Sequence, residues 1–78
     1  MHYTYIIQGA DGRRYVGSTD DLRRRLAEHD AGKCSTTHGR GPWKLVVALA
    51  FPDTAKASAF ERYLKSGSGH AFAKRHFG

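Results

Sequence analysis

Five side chains in this sequence could carry chemistry: Tyr5, Tyr15, Arg25, His29 and Glu61. Tyr5 ends the segment YTY and Tyr15 opens YVG, two stretches that read as adjacent strands, so their phenols can meet across a ladder. Either tyrosine taken singly is equally a packing residue. Arg25 and His29 are four apart in RRRLAEH, hence neighbours on one helix surface, and a guanidinium beside an imidazole can serve a phosphate. Arg25 borders the apolar stripe of Leu22 and Leu26 and can point into a site, whereas Arg23 and Arg24 read as a solvated basic face. Glu61 stands at i+4 from Ala57 and i−3 from Leu64, on or near the buried side of its helix. A buried carboxylate is costly without a cation partner or a metal. A surface pair with Lys65 at i+4 is the other reading, and the pattern leaves both open.

The elements that must position these groups follow from local chemistry. HYTYIIQ and RRYVG flank the turn signal Gly9-Ala10-Asp11-Gly12, which predicts a β-hairpin. STDD offers N-caps for a helix over about 20–31, stopped by Gly32, and Cys34 to Pro42 reads as loop. WKLVVALAF is a third strand, apolar on both faces as expected of a strand covered by helices. Asp53 and Thr54 open a second helix with Ala57, Phe60 and Leu64 on one stripe, ended by Gly67, and a short helix over about 69–77 closes the chain. The order β-β-α-β-α-α on a small sheet is an α+β layer architecture, read as one unit over residues 1–78.

The hairpin register decides whether the phenols share a face, because side chains alternate along a strand. A loop of two or four residues would pair odd positions with even ones and separate them. A three-residue loop, Ala10-Asp11-Gly12, pairs Ile7 with Tyr15 and Tyr5 with Gly17. Such loops favour a type I turn followed by a left-handed residue, here Gly12. The expectation is therefore a bulged hairpin with both phenols on one face, a space for phosphate above Gly17, and Arg25 and Glu61 converging there from the two helices.

Bulk properties bound the function. Thirteen Lys and Arg against seven Asp and Glu give a net charge of +6 over 78 residues, which makes a polyanion the natural partner. The cations are dispersed, which favours a folded basic face over a flexible arm. One cysteine, Cys34, cannot close an internal bridge, so a reducing, cytoplasmic setting is expected. No apolar run approaches a membrane span.

The ordered set YTY, YVGSTDDLRRRLAEH, GPWKLV and the isolated glutamate of FERYLKSGSG, followed by a basic C-terminus, resembles the GIY-YIG endonuclease superfamily over essentially the whole chain. It is most similar to small stand-alone members akin to the GIY-YIG domain of the excision-repair nuclease. The resemblance implies a three-stranded antiparallel sheet flanked by helices, and metal-dependent cleavage of nucleic-acid phosphodiesters, with DNA the expected substrate and repair or processing the setting. By motif position it implies Tyr5, Tyr15, Arg25, His29 and Glu61 as catalytic residues. Glu61 would be the ligand of one Mg²⁺ or Mn²⁺, Tyr5 a general base or water positioner, and Arg25 the partner of the phosphate oxygens. Tyr3 and Thr4 stand where the family has Gly and Ile, and Val16 stands for an Ile. The chain contains no asparagine, so the family's late asparagine has no counterpart.

Beyond these five, Arg14, Lys33, Arg40, Lys44 and Lys65 are the expected nucleic-acid contacts. So small a surface implies low sequence specificity, and a protein partner that directs the domain is a further candidate. Two rival functions remain on the sequence alone. One is a catalytically idle basic nucleic-acid-binding module. The other is a zinc-structured adaptor using His29, Cys34 and His38, although three ligands without a paired-cysteine knuckle are few for that role.

Overall fold

The computed structural model describes residues 1–31 and 42–78. Its centre is a strand, β1 (His2–Gln8), paired antiparallel on one side with β2 (Arg14–Thr19) and on the other with β3 (Lys44–Phe51), giving the sheet order β2-β1-β3. The β1–β2 turn has the bulged form that its residues dictate. Gly12 adopts φ +84°, its N–H donates to the Gly9 carbonyl at 3.0 Å, and the Gly9 N–H donates to the Arg13 carbonyl at 2.9 Å. Asp11 Oδ1 accepts the Arg13 N–H at 3.0 Å and steadies the turn. The ladder then runs Ile7 to Tyr15 and Tyr5 to Gly17, as a three-residue loop requires.

Three helices complete the chain: α1 (Leu22–Asp30), α2 (Thr54–Leu64) and α3 (Gly67–Phe77). Each begins where a side chain can satisfy an orphan N–H. Asp21 accepts from Arg24, Asp53 from Lys56, and Ser66 from Gly69. These are the expected three antiparallel strands and flanking helices of an α+β fold.

Alternation assigns the helices to opposite sides of the sheet. Thr4, Ile6, Val16 and Ser18 point to one face, where the Thr4 hydroxyl donates to the Ala57 carbonyl at 2.6 Å, and Ile6 packs with Leu64 and Ala73. That face therefore belongs to α2 and α3. Tyr5, Tyr15 and Gly17 point to the other face, which α1 covers through His29.

Two expectations are corrected. Gly67 does not end the second helix. That helix stops at Leu64, and Gly67 opens the next one, because the Ser66 hydroxyl caps it while donating back to the Tyr63 carbonyl at 2.6 Å. β3 is not covered on both faces either. As an outer strand it buries none of its eight residues fully, and Leu45 is 44% exposed. Its continuous apolar run resembles that of a central strand, but the central position falls to β1, where residues 4–7 are all buried.

Candidate functional site

Above the α1 face of the sheet three titratable rings come together. Tyr5 and Tyr15, diagonal neighbours on β1 and β2, have ring centroids 6.5 Å apart. His29, the buried residue of α1, reaches both: its ring lies 5.8 Å from Tyr5 and 5.1 Å from Tyr15, and its Nε2 is 2.8 Å from Tyr5 Oη. Trp43 backs the imidazole at 6.2 Å. The Trp43 backbone N–H donates to Asp30 Oδ1 at 2.9 Å, tying the start of β3 to the end of α1.

Gly17 lies beneath this cluster, and the space above it is already filled. A Cβ there would stand 2.6 Å from Tyr5 Oη and 2.8 Å from its Cζ, so the phenol occupies the room expected for a phosphate. Tyr5 and His29 are each only 1% exposed, whereas Tyr15 is half-buried. Tyr15 is thus the more exposed phenol, and Tyr5 with His29 forms a buried couple beside it.

Burial holds the His29 pKa below the ordinary histidine value, and the Arg25 guanidinium pushes it the same way, against the carboxylates of Glu28 and Asp30. The imidazole is neutral at pH 7 and has a nitrogen able to accept a proton. Arg25, one turn earlier on α1, is half-buried and places Nη1 3.1 Å from Glu28 Oε1. Four residues before His29, it puts a positive charge on the same surface of α1.

Glu61 is elsewhere. It belongs to α2, on the far side of the sheet, and its Oε1 accepts the Ser18 hydroxyl at 2.8 Å while Oε2 accepts Lys65 Nζ at 2.8 Å. Convergence of Glu61 onto the phenol face is therefore corrected. Ser18 follows Gly17 on β2 and points the opposite way, so the two halves flank one strand from its two faces. That strand is an outer one. Burial alone would raise the Glu61 pKa, but the hydrogen bonds from Lys65 and Ser18, with the charges of Lys65 and His2, outweigh it and bring it below the ordinary carboxylate value. Glu61 is half-buried and paired with Lys65.

Ser18 and Trp43 were not among the expected site residues. Ser18 stands in the STDD segment as a cap candidate, yet Asp21 takes that role and leaves the serine to Glu61. Of the expected nucleic-acid contacts, Arg14 lies off the phenol face, with Nε donating to Gln8 Oε1 at 3.1 Å and Nη2 to the Gly78 carbonyl at 2.7 Å. Lys44 is exposed beside Trp43, and Lys65 is tied to Glu61. Lys33 and Arg40, like Cys34 and His38 of the zinc reading, lie outside the described residues. Among the described residues no three His, Cys, Asp or Glu gather as a metal-binding group.

Residues 1–75 match the sequence model of the GIY-YIG catalytic domain. The chain is 43% identical over 65 residues to a UPF0213 protein of Halalkalibacterium halodurans, covering 82% of this chain and 69% of that one. It is 42% identical over 64 residues to a UPF0213 protein of Streptococcus pneumoniae, covering 81% and 65%, so it spans about two thirds of these relatives' length. A UPF0213 protein of Natronomonas pharaonis is 41% identical over 66 residues, covering 83% of this chain and 78% of that protein. The solution NMR structure of a UPF0213 protein from Bacillus halodurans superposes with a TM-score of 0.61 at 37% identity, covering 99% of this chain and 86% of that one.

Proposed function

The chain belongs to the GIY-YIG family, and from that membership together with its buried phenol–imidazole couple we propose that it is a divalent-metal-dependent endonuclease acting on DNA, in repair or processing. The observation that carries this reading is the 2.8 Å contact of Tyr5 with His29, an imidazole kept neutral beside the cationic Arg25. Hydrolysis of a phosphodiester needs a proton taken from water and charge neutralised at phosphorus. With its Nδ1 protonated, His29 accepts the Tyr5 hydroxyl proton at Nε2, so the couple is where a proton released by the attacking water comes to rest. Tyr15, on the open side, orients the water or a phosphate oxygen, and Arg25 hydrogen-bonds the oxygens where charge develops.

Glu61 fits the role of metal holder, since its lowered pKa keeps it ionised at neutral pH and Mg²⁺ or Mn²⁺ needs one carboxylate when water and phosphate complete its shell. The ion, when bound, neutralises phosphate charge and acidifies its water. Because β2 is an outer strand, a nucleic-acid backbone laid along that edge meets the Arg25 side and the Glu61 side together. One observation favours the idle-binder alternative: both Glu61 oxygens already hold protein hydrogen bonds.

Cleavage of single-stranded, duplex and branched DNA and RNA, with Mg²⁺ or Mn²⁺ and with EDTA, tests the proposal in wild type, Arg25→Ala and Glu61→Gln. Cutting is expected to vanish with EDTA and in both variants, while Glu61→Gln retains binding. Equal residual cutting in all three proteins identifies a contaminant and ends the enzyme reading. Unfolding of Glu61→Gln would assign the carboxylate to structure.

A further inference from the structure

The acidic residues of this chain all precede Arg62. From Arg62 to Gly78 the sequence has four cations, Arg62, Lys65, Lys74 and Arg75, two histidines, and no Asp or Glu. Lys65 is paired with Glu61, one turn earlier on α2, and Arg62, Lys74 and Arg75 have no carboxylate side chain within this segment. Here the fold also brings aromatic rings to the outer surface. Gly69 packs so closely on the end of α2 that a Cβ there would overlap the Tyr63 carbonyl, which lets α3 start hard against α2. As a result Phe72 meets Tyr63 at 5.9 Å with the rings T-shaped, and His76 lies 4.6 Å from Phe72. Tyr63 nevertheless remains 41% exposed.

Residues 68, 71, 72, 75 and 76 recur at helical spacing, so they form one stripe of α3. With Tyr63 they line an open groove of about 330 Å³. Its chemistry is three rings, phenol, phenyl and imidazole, and the guanidinium of Arg75. An acidic peptide would match the charge and leave the rings unused, and an apolar helix would cover the rings and desolvate the guanidinium. An unpaired nucleic-acid strand uses both, since each base offers a face for stacking and each nucleotide a phosphate.

We infer that the α2–α3 groove is a second nucleic-acid contact, which stacks the bases of a single-stranded segment on the exposed rings of Tyr63 and His76, backed by the half-buried Phe72, while Arg75 holds its phosphates. The groove is on the far side of the sheet from Tyr5 and Tyr15, so it is a separate surface. It rests on the reading of nucleic acid as substrate, and it narrows that substrate to one with an unpaired stretch near the cut.

Binding is measured by fluorescence anisotropy in the Glu61→Gln protein, which keeps the strand intact. The probes are oligothymidylate of about 12 nucleotides, within the span of one small binding domain, and a duplex of equal length. Tyr63→Ala is expected to weaken single-strand binding by about 5- to 150-fold, the range for losing one stacking ring, with duplex binding unchanged and Tyr63→Phe near the parent. Arg75→Gln, at an exposed position that leaves the fold untouched, is expected to lower the logarithmic salt slope by about 0.7. Parental binding by both Tyr63→Ala and Arg75→Gln overturns the inference. So does displacement of the strand by poly-glutamate at equal charge, which would mark an acidic-protein dock. Glu61-dependent cutting with parental binding in these variants would sink the groove alone. Tyr63-dependent binding by a wild type that does not cut would sink the nuclease reading alone.

Discussion

Replacing Gly17 by Ala tests the centre of the site, because two opposed effects act on one methyl group. In a strand, alanine is ordinarily favoured over glycine by about 0.5–1 kcal/mol, since glycine loses more backbone freedom on folding. At this position the added Cβ would stand 2.6 Å from Tyr5 Oη, 2.8 Å from Tyr5 Cζ and 3.0 Å from Tyr15 Cε1. Tyr5 has nowhere to go: it is 1% exposed, and its hydroxyl is engaged with His29. Overpacking costs about 1–3 kcal/mol. A ring pushed off His29 also loses the Tyr5–His29 hydrogen bond, for about 1 kcal/mol more. Less the strand gain, the net loss is about 2 kcal/mol, which for a domain of this size lowers Tm by roughly 8–16 °C. Thermal unfolding followed by circular dichroism reads this directly. The same substitution in a Tyr5→Phe background should cost less, since the nearest clashing atom is gone, and the difference is the coupling between the two positions. If Gly17→Ala melts at or above the wild-type temperature, the close contact and the site built on it are wrong.

Stability should also depend on pH through His29. Its folded pKa is lowered, so the unfolded chain takes up the proton first as pH falls through about 6.5, and stability is full above that value and declines below it. Urea midpoints between about pH 5 and 8 should show this decline in wild type and a smaller one in His29→Gln; the same decline in both would remove His29 as its source. Gly69→Ala should prevent α3 from docking on α2, because the obstructing atoms are the backbone of Tyr63 and Leu64 and have no rotamer to escape to. A variant with native-like near-ultraviolet circular dichroism and unchanged Tm would contradict this.

Much of the fold was legible because its signals are local. The hairpin register, and with it the shared face of Tyr5 and Tyr15, follows from three loop residues of which only Gly12 must take positive φ. Asp21 and Asp53 announce their helices for the same reason: a cap acts over three residues. Gly67 misled because a glycine after a helical stripe is a stop signal, yet Ser66 next to it is also a good cap, and the nearer of two competing local signals won.

Local signals settle parity: which residues of β1 and β2 share a side, and that Arg25 and His29 share a helix surface, while at Glu61 they leave a buried carboxylate and a surface pair both open. Which side of the sheet each helix covers is set by tertiary packing alone. Parity relates residues within one sheet, but a helix joined through a loop can pack on either face, and nothing within a few residues of Glu61 says which. The Thr4 bond to Ala57 and the packing of Ile6 on Leu64 set α2 opposite α1, and that placement hands Glu61 to Ser18 instead of to Tyr5. The choice of β1 as the central strand is of the same kind, because an apolar run shows that a strand can be covered, while pairing on both sides shows that it is.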